Sequence, residues 1–288
     1  MRTRKLIATA ALSAFAALSL AACASEDSEA INIAVFNGWD EGIATSELWK
    51  AVLEEQGYEV NLSYADVAPV FEGLSQGDYD FTTDVWLPGT HAEYLENYGD
   101  KIDHLGAWNA DSALTIAVNE DAPITSLAEL AEAGADFDYR IVGIEPGAGL
   151  TLATENSVIP TYGLEDFEFI TSSTAAMLSE LQAATDAGEN IVVTLWEPHW
   201  AYGAFPVRNL EDPEGALGGT ETINTYARLG FADDQPEVAE WLADFDMSLE
   251  LLYDLENLLF VENDTDDLQP LVKQWMEDNR DWVDSLTS

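Results

Sequence analysis

The 288-residue sequence is poor in cysteine and in basic residues. Its single cysteine, Cys23, excludes an internal disulfide. Ten lysines and arginines stand against 55 aspartates and glutamates. Such an acidic chain repels polyanions, which argues against nucleic acid or an anionic membrane face as a partner. The only histidines, His91, His104 and His199, lack the spacing of metal ligands, so we predict neither a metal nor a cofactor.

The N-terminus has the pattern of an export signal. Basic residues at positions 2, 4 and 5 precede an apolar run over 6–20 that is too short to span a bilayer. Leu20-Ala-Ala-Cys23 then matches a bacterial lipoprotein processing site, although an ordinary signal peptide with a chance cysteine is the alternative. We predict a signal peptide over 1–22, lipid on Cys23, and a solvated tether over 23–30. The mature protein is then anchored to the outer face of the cytoplasmic membrane.

Removal of the signal peptide would leave 266 residues with seven basic and 55 acidic side chains, a net charge of −48 against −45 for the whole sequence. This length suits one large or two medium domains. The charge keeps the chain soluble where salt screens its self-repulsion. It carries no information about the ligand.

Short β-branched runs alternate with helical patterns after residue 30. Strands are predicted over 31–36, 59–63, 79–84, 114–118, 140–144, 167–170 and 191–195. Helices are predicted over 41–56, 68–74, 127–133, 150–157 and 173–187, and the pattern after about residue 220 is helical, over 236–245, 248–261 and 268–286. This alternation predicts an α/β protein with two mainly parallel sheets flanked by helices.

A break near 110–112 and a Gly/Pro-rich return at 213–219 predict two lobes. We assign residues 31–111 with 216–288 to the first lobe and residues 112–215 to the second. Ligands of such folds bind beyond the carboxyl ends of strands, where loops of both lobes face each other.

Three of the nine tryptophans stand at predicted strand ends: Trp39, Trp86 and Trp196. Although core packing is the usual role of any single tryptophan, three in matching positions predict indole rings that face the cleft. Those within predicted helices are interpreted as structural, and two stay unassigned, Trp108 and Trp200. The structural set is Trp49, Trp241, Trp275 and Trp282.

Converging indole faces suit a trimethylammonium group. This cation cannot donate a hydrogen bond, whereas aromatic faces offer negative quadrupole density together with apolar contact. Each desolvated face contributes ~0.5–2 kcal/mol. Three faces would therefore supply a useful share of the ~8 kcal/mol that micromolar binding requires.

A site for an anion is predicted at the strand-to-helix turn over 144–150, Ile-Glu-Pro-Gly-Ala-Gly-Leu. Its glycines permit a close approach to backbone, and the free amides of a helix start attract negative charge. Such turns are common, so the motif is weak by itself. His91 is a further candidate donor to a carboxylate, although a lone histidine is often structural.

With these residues assembled, nearly the whole mature chain resembles the glycine betaine and proline betaine substrate-binding proteins of ABC transporters. The resemblance implies a two-lobed periplasmic-binding-protein fold of type II, with a hinge between the lobes and the first lobe first in the chain. The segments that carry it are Gly38–Glu41, Trp86–His91, Gly143–Gly149, Val193–Trp200 and Ile223–Gly230.

The resemblance also implies roles for individual residues. Trp39, Trp86 and Trp196 would surround the quaternary ammonium. The carboxylate would be held by the backbone amides of Gly149 and Leu150 and by the side chain of His91. One departure is Leu195, where glycine is expected before Trp196.

On this basis we predict a monomeric, non-enzymatic protein that captures glycine betaine and delivers it to ABC permease subunits. The nearest alternative is choline or carnitine; choline has no carboxylate, so His91 would be idle and Asp40 or Glu41 would face the cation. A more distant alternative is an anchored hydrolase that uses Asp40 and Glu41, or Glu197, as acid and base. Against it, the sequence lacks His-Glu-x-x-His, and its one cysteine, Cys23, is assigned to the lipid anchor and not to a nucleophile.

Overall fold

The computed structural model describes residues 30–288, so the predicted signal peptide, Cys23 and most of the tether lie outside the described residues. Short β-branched runs form most of the strands. The strands of this region are β1 (Ile31–Phe36), β2 (Val60–Ala65), β3 (Phe81–Leu87), β4 (Ile102–Asn119), β5 (Arg140–Val142), β6 (Glu168–Ile170), β7 (Val192–Glu197), β8 (Val207–Asn209) and β9 (Glu221–Arg228).

Helices flank these strands, and some of them begin at a residue whose side chain caps the first turn. Ser126 and Glu129 form a capping box before residue 127, and Ser173 accepts the Ala176 amide at the start of another helix. The α-helices of residues 30–288 are α1 (Asp40–Glu55), α2 (Val67–Gln76), α3 (Ala92–Tyr98), α4 (Leu127–Leu130), α5 (Gly149–Ala153), α6 (Ile159–Tyr162), α7 (Thr174–Ala187), α8 (Ala201–Ala204), α9 (Phe231–Asp234), α10 (Pro236–Ala243), α11 (Leu249–Glu256), α12 (Gln269–Asp278) and α13 (Arg280–Ser285). A 3₁₀ turn covers Gly134–Phe137, and π turns cover Thr154–Val158 and Asn257–Val261.

The strands follow one hydrogen-bonded path in the order β2-β1-β3-β9-β4-β7-β5-β6, with β8 also on β4. We call β1, β2, β3, β9 and the first part of β4 the first sheet, and β5 to β8 with the second part of β4 the second sheet. Strand β4 belongs to both, because it pairs with β9 over 102–112 and with β7 over 113–118. This long strand therefore crosses the break predicted near 110–112, and the lobe boundaries stay a prediction.

Parallel pairing is confined to the outer strands of each sheet. Strand β1 is parallel to β2 and β3, and β5 is parallel to β6 and β7, as crossover helices require. The central strands β4 and β9 are antiparallel to their neighbours. The sheets are therefore mixed, with parallel edges of the kind that we predicted.

The prediction of purely helical structure after residue 220 is wrong for one segment. Residues 221–228 form β9, which returns the chain to the first sheet and is buried continuously from Ile223 to Ala227. The segment is short and mixed in composition, so its strand character depends on the two neighbours that pair with it. Among residues 30–288, no helix has the length and apolar composition of a bilayer span.

Candidate functional site

A small cavity lies between the two sheets, at the carboxyl ends of several parallel strands. Its volume is only about 20 Å³, because the walls from the two sheets lie close together. The structure brings all three sequence-predicted tryptophans to its wall. Its lining residues are Trp39, Glu41, Trp86, Thr90, Leu114, Ile144, Leu150 and Trp196.

Trp39 enters the cavity from the start of α1. It is the N-cap residue, in an extended conformation, directly after the Gly38 turn with φ +76°. Its ring packs on Phe36 at 4.9 Å and stacks on His91 at 5.6 Å between centroids. The Trp39 side chain is only 6% exposed. Its aromatic neighbours hold the ring in place, so it forms a rigid part of the cavity wall.

Trp86 lies within β3, near its end and not beyond it as the sequence predicted. Its indole N–H donates to Asp84 Oδ1 at 2.8 Å. Residues two apart in a strand point to the same face, so the Asp84-x-Trp86 spacing itself aligns acid and ring. A Cβ atom on Gly42 would lie 2.3 Å from Asp84 Oδ2, so only glycine in α1 leaves room for this carboxyl.

Trp196 reaches the cavity from β7 in the second sheet. Its indole N–H donates to Glu41 Oε2 at 3.0 Å, across to α1, which packs on the first sheet. The indole N–H of Trp200, which the sequence left unassigned, donates to Asp40 beside it. Two neighbouring acids at one helix start thus hold two indoles of the opposite sheet.

His91 lies behind Trp39 and is fully buried. Its Nδ1 accepts the Trp86 backbone N–H at 2.9 Å. Burial lowers the pKa of His91 to about 3, so the ring is neutral and the proton resides on Nε2. Nε2 is buried and has no hydrogen-bond partner among the described residues. A buried N–H donor without a partner is costly, which marks it as a candidate ligand contact.

Gly149 and Leu150 begin α5, and the amides of the first helical residues have no acceptor within the helix. Leu150 lines the cavity. The Thr90 carbonyl oxygen, from the other half of the site, lies against Gly149. A Cβ atom at this position would be only 2.4 Å from that oxygen. The glycine is thus needed for contact between the sheets as well as for access to backbone.

The Gly89-Thr90 turn is held by an acid that sequence reasoning missed. Glu221, at the start of β9, accepts the backbone N–H groups of Gly89 and Thr90, each at 2.9 Å. No local motif marks this residue, because its partners are more than 130 positions away. Glu145, in the predicted anion turn, is also occupied: it accepts from the backbone N–H and the hydroxyl of Thr174.

Four buried acids surround the tryptophans, and we call them the carboxyl cluster. Burial is the main cause that raises the pKa of each: Asp40 to about 6, Glu41 to about 8, and Asp84 and Glu256 well above the usual range. Repulsion from neighbouring acids also raises these pKa values, from Glu145 for Asp40 and from cluster members for the other three. The indole N–H bonds oppose it for Asp40, Glu41 and Asp84. The cluster consists of Asp40, Glu41, Asp84 and Glu256.

The proposed hydrolase residues do not form a paired site. Glu197 accepts from Asn209 Nδ2 at 2.9 Å and does not line the cavity. Asp40 is engaged by Trp200, and Glu41 by Trp196. Only Glu41 of the three proposed acids lines the cavity.

Replacing Gly149 with alanine is expected to weaken ligand binding about tenfold or more. The added methyl group meets the Thr90 backbone, and overpacking typically costs about 1–3 kcal/mol. This contact lies between the two halves of the site, so the clash disappears when the site opens. The melting temperature without ligand should therefore change little. Gly203→Ala is the control, since nothing lies within 4 Å of its added Cβ. A large loss of melting temperature in G149A alone would contradict this interpretation.

Comparison with known proteins identifies a family model and several relatives. The model, described as the substrate-binding domain of the ABC-type glycine betaine transport system, matches residues 29–278. The glycine betaine/carnitine transport binding protein GbuC of Listeria monocytogenes is 38% identical over 159 residues. That match covers 53% of this chain and 52% of the Listeria protein, so the chain spans about half the length of this relative.

Two solved structures superimpose along most of the chain. The glycine betaine/L-proline-binding protein ProX of Borrelia burgdorferi has a TM-score of 0.84 and 28% identity, and covers 90% of this chain and 97% of its own. Lactococcal OpuAC, closed and complexed with glycine betaine, has a TM-score of 0.82 and 26% identity, over 90% of this chain and 100% of its own. The two-lobed α/β periplasmic-binding-protein fold is thereby confirmed.

Proposed function

Because the chain belongs to the OpuAC family, the substrate-binding domains of ABC-type glycine betaine transport systems, we propose that it captures glycine betaine or a related betaine and delivers it to an ABC permease. The family consists of solute-binding proteins, and we expect no catalytic turnover. The observation that carries the proposal is the meeting of three indoles, from α1, β3 and β7, at one small cavity.

The cationic end of the ligand fits this cavity wall. We call Trp39, Trp86 and Trp196 the indole cage. The indole N–H groups of Trp86 and Trp196 already donate to Asp84 and Glu41, so the ligand does not need to accept them. What remains toward the cavity is aromatic surface and apolar carbon, which attracts a methylated ammonium without any hydrogen bond.

The anionic end has a matching set of donors. His91 offers a neutral, unpartnered Nε2–H, and Gly149 and Leu150 offer helix-start amides. These donors come from the two different halves of the site. A ligand that carries both a quaternary ammonium and a carboxylate would use every one of them.

Capture would proceed by closure of the two sheets around the ligand. Contacts between the halves support this mechanism: Trp196 with Glu41, Trp200 with Asp40, and Tyr94 hydroxyl with the Gly147 carbonyl oxygen at 3.2 Å. Neither half carries the whole binding surface. The ligand would therefore favour the closed state by its differential affinity.

The cellular setting follows from the same proposal. The protein would act outside the cytoplasm as a monomer, held to the membrane by lipid on Cys23. The closed form would dock on permease subunits. Uptake of glycine betaine would serve osmoprotection.

Choline is the second candidate, and one observation favours it. Glu41 lines the cavity beside the cage and offers a carboxyl group to a cation that lacks a carboxylate of its own. Carnitine shares the trimethylammonium and carboxylate groups of betaine but is longer.

The direct test is calorimetric titration of the mature chain, expressed from Cys23 onward, with three small ligands. Glycine betaine should bind, choline should bind more weakly, and glycine should give no heat, because its ammonium needs hydrogen-bond acceptors that the cage lacks. This ligand series separates recognition of the methylated cation from recognition of the carboxylate. Absence of heat and of a thermal shift with millimolar betaine would refute the proposal.

A further inference from the structure

The carboxyl cluster behind the indole cage has no basic counterpart. In the part of the chain that the structure describes, no ion pair of lysine or arginine reaches its four acids. The nearest titratable nitrogen is His199 Nε2, 4.0 Å from Asp40 Oδ2. Burial lowers the pKa of His199 to about 3, so this ring stays neutral. The cluster therefore cannot ionise fully without an uncompensated buried charge.

The carboxyl cluster also has more acceptor oxygens than hydrogen-bond donors around it. Asp84 Oδ2 and both carboxyl oxygens of Glu256 are buried and have no hydrogen-bond partner among the described residues. The Trp86 indole N–H donates to Asp84 Oδ1, which leaves Oδ2 of the same carboxyl group without a donor. A protonated carboxyl group tolerates such surroundings far better than a carboxylate.

Groups from every neighbouring element face Glu41, and none of them is cationic. Asp40 precedes it on α1, Asp84 comes from β3, and Glu256 from α11. Tyr253 on the same helix has a pKa raised to about 12 by burial and by these acids, so it stays neutral too. The charge state of Glu41 thus depends on burial, on like charges and on whatever occupies the cavity.

We infer that capture of a cation by the indole cage expels a proton from the carboxyl cluster at Glu41. Glu41 lines the same cavity as the three indoles, and its Oε2 accepts the indole N–H of Trp196 at 3.0 Å. A quaternary ammonium held against that indole would therefore lie close to the Glu41 carboxyl group. The inference rests on the proposed function, because it needs a cationic ligand. It adds a linkage between ligand capture and external pH.

The direction of the linkage follows from charge. A cation stabilises the ionised form of Glu41 and lowers its pKa from the value of about 8 that holds without ligand. Binding then releases a fraction of a proton at pH values between the two pKa values. By reciprocity, affinity rises with pH in that window, about tenfold for each unit by which the pKa falls.

Neither the ligand nor His91 titrates in this range. Glycine betaine has no group that titrates between pH 6 and 9, since a quaternary nitrogen carries no proton and carboxylates titrate at lower pH. His91, with a pKa of about 3, does not change charge there either. Asp40, whose pKa is about 6, titrates at the acid edge of this range.

The test is calorimetric titration of the mature chain with glycine betaine at pH 7 in buffers of different ionisation enthalpy. The observed enthalpy should vary with the buffer and report release of a fraction of one proton. Affinity should rise about tenfold between pH 6 and pH 9. Glu41→Gln, which keeps an acceptor for the Trp196 N–H, should bind without proton release and with an affinity that is flat over this range.

Glu47→Gln is the matched control. Glu47 is also buried on α1 but accepts from Tyr64 and Gln269, away from the cavity, so this variant should keep the proton release of the wild type. Binding with the same heat in all buffers would overturn the inference and leave the proposed function intact. Equal proton release in E41Q and wild type would overturn the assignment to Glu41. Absence of any betaine binding would overturn both proposals.

Discussion

Replacing Trp39 with alanine is expected to weaken the binding of glycine betaine about tenfold to a hundredfold. One desolvated indole face contributes up to about 2 kcal/mol to a cation, and each 1.4 kcal/mol is about a factor of ten in affinity. Unlike Trp86 and Trp196, Trp39 donates no hydrogen bond to a cluster acid, so its removal deletes the aromatic face without leaving such an acid unpaired. Isothermal titration calorimetry measures the change directly.

Two further variants separate cation binding from general packing. Trp39→Phe keeps an aromatic ring against Phe36 and His91 but offers a weaker face, so its affinity should fall between those of wild type and W39A. Trp241→Ala alters a tryptophan of α10 that packs on Tyr58, far from the cavity, and should leave affinity unchanged. If W39A and W241A weakened binding equally, the loss would reflect destabilisation and not the cage.

Replacing His91 with phenylalanine is expected to weaken glycine betaine binding roughly tenfold to a hundredfold. Phenylalanine fills the ring site between Trp39 and Phe71 but removes the Nε2–H donor, together with the Nδ1 acceptor of the Trp86 backbone N–H. A hydrogen bond to a charged group contributes about 1.5–3 kcal/mol. Because His91 is neutral over the physiological range, the loss should not depend on pH between 6 and 8.

Choline provides the control for this variant within the same protein. It shares the trimethylammonium group but has no carboxylate, so its affinity should be nearly the same in H91F and wild type. Any folding defect would weaken both ligands together, and only a lost carboxylate contact changes their ratio. An unchanged ratio of betaine to choline affinity would assign the carboxylate end to other residues.

Short-range patterns sufficed for much of this protein. Strand β1 and helix α1 lie within one residue of their predicted bounds, and the Ser126 capping box is present, because each depends on periodicity or on contacts three or four residues apart. Strand β9 was missed, since it is a strand only between β3 and β4. The 18-residue length of β4 was missed for the same reason, because its first part pairs with β9.

The candidate site divides in the same way. Trp39, Trp86 and Trp196 were predicted from their positions at strand ends, and the Asp84-x-Trp86 spacing contained a signal for Asp84 that went unused. Glu221 and Glu256 had no such signal. Each of them acts on groups that are distant in the chain: Glu221 accepts from the 89–90 turn, and Glu256 lies near the acids of α1.

Sequence alone therefore determined the types of group available: aromatic faces, a neutral donor, helix-start amides and many acids. Tertiary structure alone decided which of them meet. Trp196 lies 155 positions from the acid that holds its N–H, and four acids share one buried region without a cation. Burial and like-charge repulsion act through space, so no local pattern encodes the protonation of Glu41 or its place beside the cage.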